Sequence, residues 1–119
     1  IDVQFVLPHG EHPPEELART LADELGKVLR AAPGTLWLRL QVLPASRYAE
    51  NSSDSTTTGL PVFVTVLHAH PKEGRELEAE ARALAKQVAA AIGRPHTQVH
   101  IEYAPPGAGR VAFGGTLVQ

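Results

Sequence analysis

The chain contains no cysteine. That excludes a disulfide framework, a thiolate metal site and a cysteine nucleophile, and it fits a reducing, cytoplasmic setting. It has one Trp, two Tyr and three Phe, too few for the aromatic platforms that stack single-stranded nucleic acid. Neither sign of charge dominates: eleven Lys+Arg against thirteen Asp+Glu give a formal charge of −2. The cationic field that nucleic acid demands is therefore missing. No apolar run approaches the roughly 18 residues of a membrane span. Nor does a basic segment precede an apolar one at the start, so no secretory signal is read. Methionine is also absent, and the sequence opens on Ile1. Initiator Met is trimmed ahead of small residues, which Ile is not, so at least one further residue is expected upstream of Ile1.

At 119 residues and 43% hydrophobic content the chain suits one domain with a core of its own. Val3, Phe5 and Leu7 alternate with Gln4 and predict a strand over 3–7. Pro13 and Pro14 suit a helix's first turn, with Glu15 and Glu16 near its positive end. Leu17, Leu21, Leu25, Val28 and Ala32 then form one apolar stripe, ended by Pro33-Gly34. A second strand is expected over 36–43, with Leu36, Leu38, Leu40 and Val42 on one face and Trp37, Arg39, Gln41 and Leu43 on the other. Residues 44–60 form a polar connector, long enough to suggest function, mobility or a partner. Pro61 to His68 reads as a strand covered on both faces. Pro71 opens a second helix with a stripe of Leu77, Ala81, Leu84, Val88 and Ala91, and Gly93 serves as its C-cap. Val99, Ile101 and Tyr103 alternate with His100 and Glu102 in a fourth strand. A tail, 104–119, follows.

The pattern is β-α-β twice, over 1–43 and 61–103. A shift of 60 superposes Val6 on Val66 and Leu17 on Leu77, and makes Ile1 the counterpart of Pro61. With one extra residue in the second half, Arg39 matches His100. Two architectures share this order: a ferredoxin-like split sheet, or two intact β-α-β units side by side.

The second half carries Pro-Val-Phe-Val-Thr-Val at 61–66, Gly-Arg-Pro at 93–95 and Val-His-Ile-Glu-Tyr at 99–103. It ends in Gly-Arg-Val-Ala-Phe-Gly-Gly at 109–115. The first half has Leu-Pro-His-Gly at 7–10 and Trp-Leu-Arg-Leu at 37–40. In these segments the chain resembles the tautomerase superfamily, in the two-repeat form of macrophage migration inhibitory factor, and Arg39 is similar to the strand arginine of 4-oxalocrotonate tautomerase. The resemblance implies an α/β (α+β) fold: a four-stranded mixed sheet with two helices on one face. It also implies a cytoplasmic homotrimer with sites at subunit boundaries. The implied activity is tautomerisation of a small unsaturated 2-oxo acid, with no metal and no organic cofactor.

That family's base is an amino-terminal proline, whose place falls at Ile1 or just before it. Pro61 is internal, and its amide nitrogen has no basic lone pair. Arg39 is the candidate for holding the substrate carboxylate bidentately; otherwise it is a surface arginine. His100, where cytokine-like members carry a tyrosine, could donate to a substrate oxygen or simply face solvent or an interface. Glu102 could orient His100, activate water or be solvated. Arg110 and Arg47 could each bind a second carboxylate. Tyr48 and Phe113 could wall a pocket, and Phe113 and Trp37 could instead pack at a subunit boundary. His68 and His70 lie close enough to suggest zinc, and so do His9 with His12 and His96 with His100, but no signature spacing links them. The rival readings are a non-catalytic tautomerase-fold or ferredoxin-like ligand-binding module, and a hydratase or dehalogenase using Glu102.

Overall fold

The computed structural model describes residues 1–52 and 59–119. Six residues of the connector, 53–58, lie outside the described residues, and with them most of the Ser/Thr-rich stretch. Four strands, β1 (Asp2–Leu7), β2 (Arg39–Pro44), β3 (Val62–Val66) and β4 (Val99–Tyr103), form one sheet in the order β2-β1-β3-β4. β1 pairs parallel with β2 and β3 parallel with β4, and the two units meet antiparallel through β1 and β3. This is the arrangement of two intact β-α-β units, not the split sheet. Helices α1 (Leu17–Leu29) and α2 (Gly74–Ile92) supply the crossovers and pack on each other. Among the described residues, no helix is long and apolar enough to cross a membrane.

Period-two patterning places Val3, Phe5 and Leu7 against the helices, with Val62, Val64, Val66 and Val99 beside them. Leu17, Leu21 and Leu25 from α1 and Leu84 and Val88 from α2 close this core. Cross-strand partners share a face. Asp2, Gln4, Arg39, Gln41, Phe63, Thr65, His100 and Glu102 therefore project from the opposite face, away from α1 and α2. The expectation that β3 is covered on both faces fails: its burial alternates, with Phe63 and Thr65 only half-buried.

Both helices start later than the prolines suggest. Residues 14–17 form a lead-in turn, closed by Leu17 N–H to the Pro14 carbonyl, and no acidic residue lies in the first turn of α1. Proline tolerates a first turn but equally a turn just outside it. α1 also stops before Ala32 and Pro33, because Arg30 takes the left-handed conformation at its C-cap. α2 begins at Gly74, not Pro71, and ends as expected on Gly93, left-handed at φ 69°. Its buried line is Glu80, Leu84 and Val88, one residue over from Leu77 and Ala81, which are half-buried. β2 starts at Arg39, so Leu36 to Leu38 precede the strand.

In each half, a first-strand residue pairs with the one 37 positions later: Asp2 with Arg39, Val62 with Val99. The match of Arg39 to His100 keeps both on the open face, and the equal register then carries the same shift of 61 into the first strands. The shift of 60 fails there, because it superposes Val6, buried on the face opposite the helices, on Val66 of the helix-side core. Asp2 thus corresponds to Phe63 and Ile1 to Val62. Pro61 corresponds to the position just ahead of Ile1.

Candidate active site

The start of the chain is pinned at one end of the sheet. The Ile1 nitrogen donates to the Trp37 carbonyl at 2.7 Å, and the Arg39 N–H donates to the Ile1 carbonyl at 2.9 Å. Arg39 donates from Nε to Asp2 Oδ1 at 2.6 Å and from Nη2 to Oδ2 at 2.9 Å. The guanidinium holds the Asp2 carboxyl below its ordinary range. Among the described residues the Nη1 edge of Arg39 takes no partner, which leaves it to an incoming acid.

Around this point lies apolar surface. Trp37 is 62% exposed and meets the Phe113 ring edge-on, with centroids 4.6 Å apart. Phe113 sits in a small hairpin, β5 (Ala112–Phe113) and β6 (Thr116–Leu117), turned by Gly114 and Gly115, both at positive φ. The tail therefore pairs with itself within the chain. Its root is tied to the end of β3 by Gly107 N–H to the His68 carbonyl at 2.7 Å. A small cleft of about 40 Å³ between Leu67, Gly107, Val111 and Phe113 adjoins it, with room for little more than a water. The larger depression, about 460 Å³, lies away from Arg39, between α1 and the loop from Arg30 to Leu36.

The predicted residues divide between the two edges of the sheet. Arg39 is on edge strand β2 and His100 and Glu102 on edge strand β4, three strand spacings or about 14 Å across. One chain does not bring them together. His100 lies against Phe63 (5.5 Å between centroids), and so does Tyr48 (5.8 Å). The Tyr48 hydroxyl donates to Glu50 at 2.6 Å, and Tyr48 and Phe113 thus belong to separate clusters, not one pocket. Glu102 is exposed in the row of Arg39, Asp2 and Thr65. Arg110 lies exposed in the turn after Gly107, and Arg47 is exposed in the short 3₁₀ turn Ala45–Arg47.

The histidine pair at 68 and 70 does not converge. His68 bonds Glu80 at 2.9 Å, while His70 bonds the Gln119 carbonyl at 2.9 Å. Among the described residues, no three His, Asp or Glu side chains gather as a metal site would require.

Three residues escaped the sequence reading. Asp2 could be found only from the register that sets it beside Arg39. Glu80 carries a visible signal: a carboxylate on the apolar line of α2. Its side chain is 2% exposed and takes Lys72 Nζ at 3.0 Å, His68 Nε2 at 2.9 Å and the Tyr103 hydroxyl at 3.1 Å. Burial pushes the Glu80 carboxyl up, but these three donors outweigh it and hold it below the usual range. Burial and Glu80 together push Tyr103 up. Arg94 lies 4.3 Å over the Phe5 ring and donates to the carbonyls of Val6, Leu60 and Pro61. It ties the return of the connector to the far end of β1.

By sequence alone, no family model and no curated protein matches the chain. The structure does find counterparts: the fold is shared with solved structures of fused 4-OT, Pt0534 and macrophage migration inhibitory factor homologues. A fused 4-OT solved as a symmetric trimer is 18% identical, with 99% of this chain and 95% of that chain covered and a TM-score of 0.68. Pt0534 inactivated by 2-oxo-3-pentynoate is 17% identical, with 98% and 93% covered and a TM-score of 0.73. A macrophage migration inhibitory factor homologue from Prochlorococcus marinus is 15% identical, with 99% and 97% covered and a TM-score of 0.69.

Proposed function

We propose that the protein is a cofactor-independent tautomerase acting on a small unsaturated 2-oxo acid, with an amino-terminal proline just ahead of Ile1 as its base. The observation that carries this reading is the placement of Arg39 beside the chain start on the open face. The repeat register supports the proline's place, since Pro61 corresponds to the position before Ile1. There the neutral secondary amine takes the enol O–H proton as the C=O forms, and returns a proton to carbon. The product is an isomer, so no oxidant or co-reactant is consumed. Arg39 holds the substrate carboxylate on its open edge. Desolvation and the Arg39 charge both favour the neutral form of the amine.

Among the described residues no enclosed cavity lies at Arg39, and Trp37 (62% exposed), Phe113 (48%) and Leu67 (45%) line the open side. Such a patch marks an interaction surface. A homotrimer, the state in which the fused 4-OT was solved, would close the site. It would also let His100 or Glu102 of a neighbouring copy approach Arg39.

The test uses protein expressed from the complete gene. Incubation with 2-oxo-3-pentynoate, which inactivates Pt0534, is expected to add one reagent mass per chain, mapped to the terminal proline nitrogen. No adduct, or one confined to Lys27, Lys72 or Lys86, contradicts the reading.

A further inference from the structure

The row that crosses the open face consists of Arg39, Asp2, Thr65 and Glu102. It sets one cation against two carboxylates. At the usual strand spacing, Asp2 lies about 5 Å from Arg39 and Glu102 about 10 Å beyond Asp2 along the row. Asp2 takes Arg39 through Nε and Nη2 at 2.6 and 2.9 Å, the two-point geometry in which a guanidinium also grips a substrate acid. The side chains are 78% and 50% exposed, so the pair contributes little to holding the fold. Its consequence lies at the site instead. An acid that reaches Arg39 meets only the remaining edge, with a fixed negative charge alongside.

We propose that Asp2 is a specificity-determining residue: by occupying one edge of Arg39 with a built-in carboxylate, it fits the site to acids with one carboxylate and turns away those with two. The inference rests on the reading of Arg39 as the carboxylate clamp. A monoanion approaches a guanidinium whose charge is already half-answered and still finds two N–H donors. A dianion must in addition hold its second carboxylate near Asp2 or Glu102. Like charges at that separation on a half-exposed surface disfavour it by about tenfold.

The experiment compares binding of 2-oxoglutarate and its 5-methyl ester, which share a skeleton and differ by one charge. Calorimetry is run on the full chain, its Asp2→Asn and Asp2→Glu variants, and Arg39→Ala. The native protein is expected to prefer the ester by about tenfold. Asp2→Asn should cut that preference to about threefold or less, through tighter binding of the diacid. Asp2→Glu keeps the charge and should keep the preference. If the native protein shows no preference, or Asp2→Asn leaves it unchanged, while Arg39→Ala loses both acids, the Asp2 inference falls and the Arg39 reading stands. If Arg39→Ala binds both acids as the native protein does, the Arg39 reading falls and takes the inference with it. A merely structural role for Asp2 would shift both affinities together and leave their ratio intact.

Discussion

Arg39→Ala is expected to lower kcat/KM for a small 2-oxo acid by about a hundredfold or more, the range seen when one preorganised charge donor is lost. The loss should fall on both KM and kcat. Arg39 binds the carboxylate in the ground state, so KM rises. It also sits beside the position proposed for the proline, where a nearby cation lowers an amine's basicity. Removing the cation raises that amine's pKa, so less of it is neutral at pH 7. The acidic limb of the kcat/KM profile should therefore move to higher pH. Arg39→Lys should recover part of the binding, since it keeps the charge but not the planar fork. Steady-state kinetics across pH 5–9 read all three effects. An unchanged kcat/KM in Arg39→Ala removes the residue from the site.

The second large effect lies away from the chemistry. Glu80→Ala is expected to destabilise the fold by about 2–3 kcal/mol, since it deletes a buried carboxylate and leaves Tyr103 and His68 without their acceptor. For a chain of this length that is about 10 °C in Tm. The Glu80 carboxyl is held below its ordinary range in the folded chain, so the folded state favours its ionised form. Its stabilisation is thus complete above the ordinary glutamate pKa, about 4.3, and fades as pH falls through the lowered folded value. The gap between the native protein and Glu80→Ala should accordingly narrow in acid. Thermal melts at pH 7 and pH 3.5 check this; equal gaps at both would contradict the assigned ionisation.

The elements that were legible were those whose burial is decided locally. β4 has one face on the helices, so its alternation read correctly; β1 sets Val3, Phe5 and Leu7 on the core face as read, though Val6 opposite is buried too, and α1 announced itself by the leucines at 17, 21 and 25. Element ends were less legible. Arg30 at its left-handed C-cap and Gly74 at the start of α2, not the nearby prolines, set the helix limits. Strand order could not be read at all, because the two candidate architectures have the same elements in the same sequence. Register decided the rest. It brought Asp2 onto Arg39 and moved the match of the first strands by one residue. It also set Arg39 and His100 on opposite edges of the sheet, a separation that similarity between the halves conceals. Glu80 could have been noticed as a charge on an apolar line, but its three donors come from the end of β4 and the loop ahead of α2, which no local pattern joins.

The central claim is that a basic proline nitrogen stands next to Arg39. Intact mass with amino-terminal fragmentation, on protein made from the complete gene, addresses it directly. The account predicts a mature chain that begins with proline bonded to Ile1. A chain that begins with any other residue, or carries a longer segment ahead of Ile1, leaves no such base and contradicts it.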